Sequence, residues 1–161
     1  MRLFIALSVE TSYLNELKKE LSDVRGRFIN DENFHLTLSF LGEIKEDKID
    51  EIKQIIKSIP FELKYLRSLE VDTFREDTVV LKFENNKYLL NYQKELTKEL
   101  DKHHISNDKK PYKPHITIIR HSDEIITGEY KRVFKLTGIH LFSSLLTPQG
   151  SIYKSLYKKS V

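Results

Sequence analysis

Two histidines stand in the same local pattern, each followed after one residue by a threonine inside a short apolar run. They are His35 with Thr37 in "FHLTLSFLG" (34–42) and His115 with Thr117 in "YKPHITIIR" (112–120). Residues two apart on a strand share a face. His35, Thr37 and Ser39 then lie on one face of the first run, with Leu36, Leu38 and Phe40 on the other; in the second, His115 and Thr117 oppose Ile116 and Ile118. One such histidine is ordinarily a hydrogen-bonded structural group, because buried polar side chains find partners. Two of them, set side by side about a pseudo-twofold axis, line one groove with two imidazoles and two hydroxyls. That set suits displacement at phosphorus, in which one imidazole removes a proton from the attacking oxygen and the other protonates the leaving oxygen. Histidine's unperturbed pKa near 6.5 makes both forms accessible at neutral pH, and threonine hydroxyls can donate to the non-bridging oxygens. The scheme needs no metal. Arg120, five residues beyond His115, would add a charge-assisted bond to phosphate. Strict alternation puts it on the far face, so it reaches the groove only if the strand bulges or ends there.

The elements that must position these residues can be read from hydrophobic spacing. "RLFIALS" (2–8) is a buried strand. Residues 11–25 carry Leu14, Leu17, Leu21 and Val24 at helical spacing, with Thr11 or Ser12 as N-cap and Gly26 as the stop. The first histidine strand follows, then a helix over 45–59 closed by Pro60. Residues 61–74 and 78–84 form a hairpin around the polar turn Arg75–Asp77. The order then repeats, with a helix over 87–104, the second histidine strand, and a strand pair over 132–146 and 151–157 around "TPQG". His35 and His115 are 115 − 35 = 80 apart, and "KKELSD" aligns with "TKELDK" at 79. A duplication in two copies, too few for a solenoid, predicts an α+β architecture. Antiparallel sheets carry helices on one face, and two lobes form one domain over residues 1–161.

The 161 residues contain no cysteine, which excludes a disulfide framework, a thiolate metal site and a cysteine nucleophile. The net charge of +3 favours a polyanionic partner only mildly. No apolar run approaches the ~18 residues of a membrane span, and "MRLFIALSVE" lacks the pattern of a secretory signal. A cytoplasmic protein is expected. Among the remaining histidines, His103 and His104 end a helix and favour a solvated helix terminus, His121 could edge the groove, and His140 is structural. No His-Glu-x-x-His pattern or carboxylate cluster supports zinc. Phe4, Phe40, Tyr112 and Tyr153 are candidates to stack on a base, set against the usual burial of aromatic rings. Lys109, Lys110 and Lys113 are candidates to steer a phosphate chain, set against plain solvation.

The paired "HLTL" and "HITI" motifs, about 80 residues apart, resemble the 2H phosphoesterase superfamily. Within it the chain looks like the bacterial and archaeal RNA 2′,3′-cyclic phosphodiesterases, first named 2′-5′ RNA ligases. "MRLFIALSVE" looks like that group's opening strand, "NFHLTLSFLGEI" and "YKPHITIIR" like its two motif blocks, and "GSIYKSLY" like its closing strand. The resemblance implies a bilobal fold with both motifs lining a central cleft and helices on the outer faces. It also implies metal-independent hydrolysis of a 2′,3′-cyclic phosphate at an RNA end to a 2′-phosphate, with no cofactor. Carried over, His35 is the proton donor to the 3′ oxygen, His115 the acceptor from water, and Thr37, Thr117 and Arg120 hold the phosphate. The partners expected are RNA ends or nucleotides bearing a cyclic phosphate, with no membrane and no obligatory protein partner, so a monomer. Two other readings stand beside it: the same chemistry on 2′-5′ linked oligonucleotides or a small cyclic nucleotide, and an RNA-end binding module without turnover. Binding alone needs cations, not a matched acid and base, which counts against the module.

Overall fold

The computed structural model describes residues 1–161. In chain order the elements are β1 (Arg2–Val9), α1 (Ser12–Glu20), the two-residue β2 (Arg27–Phe28), β3 (Leu36–Glu43), α2 (Ile49–Ser58), β4 (Tyr65–Phe74) and β5 (Thr78–Phe83). They continue with α3 (Lys87–Lys102), β6 (His115–Arg120), the short β7 (Gly128–Glu129), β8 (Val133–Thr147) and β9 (Gly150–Ser160). The α+β class expected from the sequence is the one that forms. Every strand pairing is antiparallel, and both hairpins, β4–β5 and β8–β9, lie where the turn residues predict.

Helix lengths depart from expectation at one end. α1 stops at Glu20, well before Gly26, and Leu21 to Val24 continue as turns tied by Ser22 N–H to Lys19 O and Val24 N–H to Leu21 O. Ser22 and Asp23 are residues whose side chains compete with the helix for backbone bonds. Thr11 sits at the N-cap but makes no side-chain bond there. α3 is properly capped, because the Asn86 side chain accepts from Leu89 N–H at 3.0 Å.

The strand order is β7-β4-β5-β6-β3-β1-β8-β9, and β4 also pairs with the start of β8, Tyr65–Arg67 against Val133–Lys135. Six strands therefore close into a ring, β4-β5-β6-β3-β1-β8. One lobe consists of β1, β3, β8 and β9, the other of β4, β5, β6 and β7 with the short β2 paired to β6. The hairpins are exchanged: β8–β9, from the second repeat, lies with the first histidine strand, and β4–β5, from the first repeat, lies with the second. β3 and β6 meet at a single rung, Leu36 opposite Ile116. α2 packs on α3, β8 and β9, and α3 on β3. α1 lies against the other lobe and the start of β8, where Tyr130 Oη, just after β7, donates to Tyr13 O and Tyr13 packs edge-on to Phe134. The buried apolar side chains form one cluster of 35 residues running through both lobes, so neither repeat has a core of its own.

Candidate active site

The two histidines come from equivalent places, His35 immediately before β3 and His115 as the first residue of β6. Pro114 holds the approach to His115 extended, and Pro114 O is bound by Phe83 N–H at 3.0 Å. Each ring is anchored in the same way. His35 Nδ1 lies 2.7 Å from Asn33 O, and His115 Nδ1 lies 2.6 Å from Lys113 O. A carbonyl oxygen only accepts, so each Nδ1 carries a proton and donates it. In both neutral rings Nε2 is then the basic nitrogen, available to a ligand. Leu36 and Leu38 behind the first motif, and Ile116 and Ile118 behind the second, are at most 1% exposed, the division of faces that alternation predicts.

Beyond the threonines, alternation fails in both strands, and the failure shapes the site. On β3, Thr37 pairs with Ala6 and Ser39 with Ile5, leaving Leu38 as an extra residue. On β6, Thr117 pairs with Val80 and Ile119 with Val79, leaving Ile118 extra. A bulge shifts every later side chain to the opposite face. Ser39, expected beside His35, is instead 4% exposed and paired against the fully buried Ile5. Phe40, expected in the core, is 53% exposed on the cleft side, with Phe4 6.0 Å away. On β6 the same shift carries Arg120 to the cleft, while Ile119 is fully buried. Phe40 and Arg120 each lie five residues beyond a histidine. Because β3 and β6 run antiparallel, the two mark opposite ends of the cleft.

His35, Thr37, His115, Thr117 and Arg120 all line one cavity of about 720 Å³. The rings differ in their surroundings. His35 packs against Phe4 at 4.9 Å, Tyr153 at 5.2 Å and Phe142 at 6.3 Å, whereas His115 has Phe74 edge-on at 5.2 Å. Burial accordingly pushes the His35 imidazole down to about 4, opposed by the Asn33 carbonyl and reinforced by the charges of Arg120 and His115. His115 is lowered for the same first reason, with Arg120 again adding and the Lys113 carbonyl opposing. Arg120 thus acts electrostatically on both rings at once.

Of the stacking candidates, Phe40 and Tyr112 line the cavity. Phe4, 4% exposed, is held in the aromatic cluster behind His35, as is Tyr153. Lys110 and Lys113 line the cavity, and Lys109 is paired with Asp101. His103 does more than terminate a helix, since its Nδ1 lies 2.6 Å from Glu51 and so joins α3 to α2. His121 faces Asp77 outside the cavity, and His140 sits in a hydroxyl network with Ser8 and Ser155. No three His, Asp or Glu side chains gather as metal ligands anywhere in the chain. Sequence reasoning missed Phe74, Arg75, Thr78 and Gln93, which also line the cavity. Arg75 and Glu76 have positive φ, 52° and 70°, in a turn where Asn-Gly would be unstrained; an arginine there was the available signal.

The family model described as "LigT like Phosphoesterase" matches residues 7–77 and 81–153, one stretch in each half of the chain. The RNA 2′,3′-cyclic phosphodiesterase of Thermotoga maritima is 32% identical over 188 residues, covering 98% of this chain and 94% of its own. That of Methanocaldococcus jannaschii is 31% identical, covering 96% and 97%. Among solved structures, TT0787 of Thermus thermophilus shares the fold with a TM-score of 0.87 at 24% identity, covering 99% of this chain and 97% of that one. Escherichia coli LigT complexed with ATP does so at 0.82 and 20%, with the same coverage. With a match that takes in both histidine strands and most of the length between and around them, the protein belongs to the LigT-like phosphoesterase family.

Proposed function

We propose that the protein is an RNA 2′,3′-cyclic phosphodiesterase, hydrolysing the cyclic phosphate at an RNA end to a 2′-phosphomonoester. The observation that carries this reading is the pair of Nδ1-anchored imidazoles lining one cavity with Thr37, Thr117 and Arg120. The threonine hydroxyls and the guanidinium hold the non-bridging oxygens, where negative charge grows as water adds to phosphorus. His115 Nε2 takes the proton of the attacking water. The P–O3′ bond breaks, and His35, entering as imidazolium, gives its Nε2 proton to O3′. Solvent then returns a proton to His35 and removes one from His115. Each transfer is worth typically 10²- to 10⁴-fold. Phe40, exposed at the end of the cleft away from Arg120, offers a flat apolar surface to the terminal base.

The test is a short RNA ending in a 2′,3′-cyclic phosphate, incubated with purified protein in EDTA and followed by identification of the product isomer. A 2′-phosphate is expected, with turnover lowered at least about 100-fold in His35→Ala and in His115→Ala. Full activity in either variant would remove that histidine from the mechanism.

A further inference from the structure

A second cavity of about 430 Å³ opens beside the catalytic one and shares Gln93, Asp108, Lys110, Pro111 and Tyr112 with it. One wall is a single stripe of α3, Leu90, Gln93, Lys94 and Thr97, at the i, i+3, i+4, i+7 spacing of one helix face. The other wall is the segment 108–112, and its position is fixed. Asp108 N–H donates to Phe40 O at 2.8 Å, Asp108 Oδ1 accepts from Lys110 N–H at 2.9 Å, and Asn107 Nδ2 donates to Asp101 and to Ile105 O. The bond to Phe40 sets this annex at the end of the cleft opposite Arg120.

Its chemistry is cationic. Three lysines, 94, 109 and 110, line it against one carboxylate, Asp108. Lys109 is engaged by Asp101, whereas neither Lys94 nor Lys110 has a carboxylate within ion-pair distance. Gln93 is held in place by Leu38 O and Thr97 Oγ1, each at 3.3 Å, which leaves its amide oxygen to accept a ribose hydroxyl. A groove with two unpaired ammonium groups, fixed amide and hydroxyl groups and an open path into the catalytic cavity suits a ribose-phosphate chain. A lone base does not need the charge.

We propose that this annex binds the phosphodiester joining the terminal nucleotide to its 5′ neighbour, so that the enzyme reads an RNA chain of at least two nucleotides. This rests on the catalytic reading above. With the cyclic phosphate between the histidines and Arg120 at the far end, the terminal nucleoside points toward Phe40, and the chain leaves 5′-ward between α3 and 108–112. Lys94 and Lys110 then meet the first internal phosphate.

The experiment compares kcat/KM for a dinucleotide ending in a 2′,3′-cyclic phosphate with that for the corresponding cyclic mononucleotide, in the wild type and in Lys94→Gln/Lys110→Gln. The ratio of the two does not depend on the folded fraction, so loss of protein cannot mimic the effect. The wild type should favour the dinucleotide by at least about tenfold, and the double variant should bring the ratio to within about twofold of one. The dependence of log kcat/KM on log salt for the dinucleotide should weaken by about 0.7 for each phosphate charge the variant no longer neutralises. A wild-type ratio near one, or a ratio the variant does not change, overturns the annex while leaving the catalytic reading intact. Hydrolysis of neither substrate by the wild type overturns both.

Discussion

Raising the pH through neutrality should lower kcat/KM about tenfold per unit, because once His115 is neutral the rate follows the shrinking imidazolium fraction of the buried His35. Its imidazole titrates at about 4 against an ordinary 6.5, a difference of about 2.5 units, or roughly 3.4 kcal/mol in favour of the neutral ring. At pH 7 the imidazolium is then present in on the order of one molecule in 10³. His115 is lowered as well, so in the free protein at pH 7 both rings are neutral, while the proposed mechanism calls for one charged and one neutral. Since kcat/KM reports ionisations of the free enzyme, its maximum should lie below pH 6.5. A bound phosphodiester brings a negative charge to both rings, which favours the imidazolium. The alkaline limb of kcat, which reports the complex, should therefore lie at higher pH than that of kcat/KM. Initial rates on a 2′,3′-cyclic mononucleotide from about pH 4 to about pH 9 separate the two curves. A kcat/KM level from pH 6 to 8, or limbs that coincide, would refute the assignment of a transferable proton to so buried an imidazole.

Stability should carry the same signature. Between about pH 6.5 and 4 the unfolded chain holds a proton on residue 35 that the folded protein does not, so stability rises with pH in this window and is lost on acidification. The loss from this ring is at most about 3.4 kcal/mol, and thermal melts of His35→Gln should show a correspondingly weaker acid dependence. Replacing Arg75 and Glu76 by Asn and Gly relieves two strained φ values and should raise the melting temperature by a few degrees, about 1 kcal/mol or more. The same change should lower kcat/KM severalfold by removing a guanidinium from the cavity; unchanged activity would show that Arg75 does not touch substrate. A Cβ at residue 26 would stand 2.7 Å from Ile119 Cγ2 and 3.1 Å from Arg120 O. Gly26→Ala should therefore displace the end of β6, costing roughly 1–3 kcal/mol and weakening phosphate binding, as denaturant melts and KM would report.

The histidine strands and hairpins were legible because each rests on local chemistry: short apolar runs bounded by turn residues such as Gly42, Asp77 and Pro114, with His and Thr two places apart at the start of each motif. The bulges were not, because an extra residue at 38 or 118 is decided by the register against β1 and β5, strands remote in sequence. Yet those bulges determine that Ser39 is buried in the cleft wall and that Phe40 and Arg120 turn toward the cleft. The exchange of hairpins was equally hidden, since either repeat could have kept its own. Arg75 and the annex residues Gln93 and Lys94 carry no motif at all; they become a site only when the ring of strands brings α3 and the β4–β5 turn to the two mouths of one cleft.

The backbone joins β3 to β6 through one rung, Leu36 to Ile116, although every other neighbour in the ring is held by several. Thr37 and Thr117 stand just past that rung on either side of the seam, so a phosphate gripped by both hydroxyls forms a crosslink between lobes where the sheet is thinnest. The anion the enzyme cleaves is in this sense also a fastener. On the proposed binding mode, substrate arrival should tighten the joint whose spacing that chemistry would depend on, and departure of product should slacken it again.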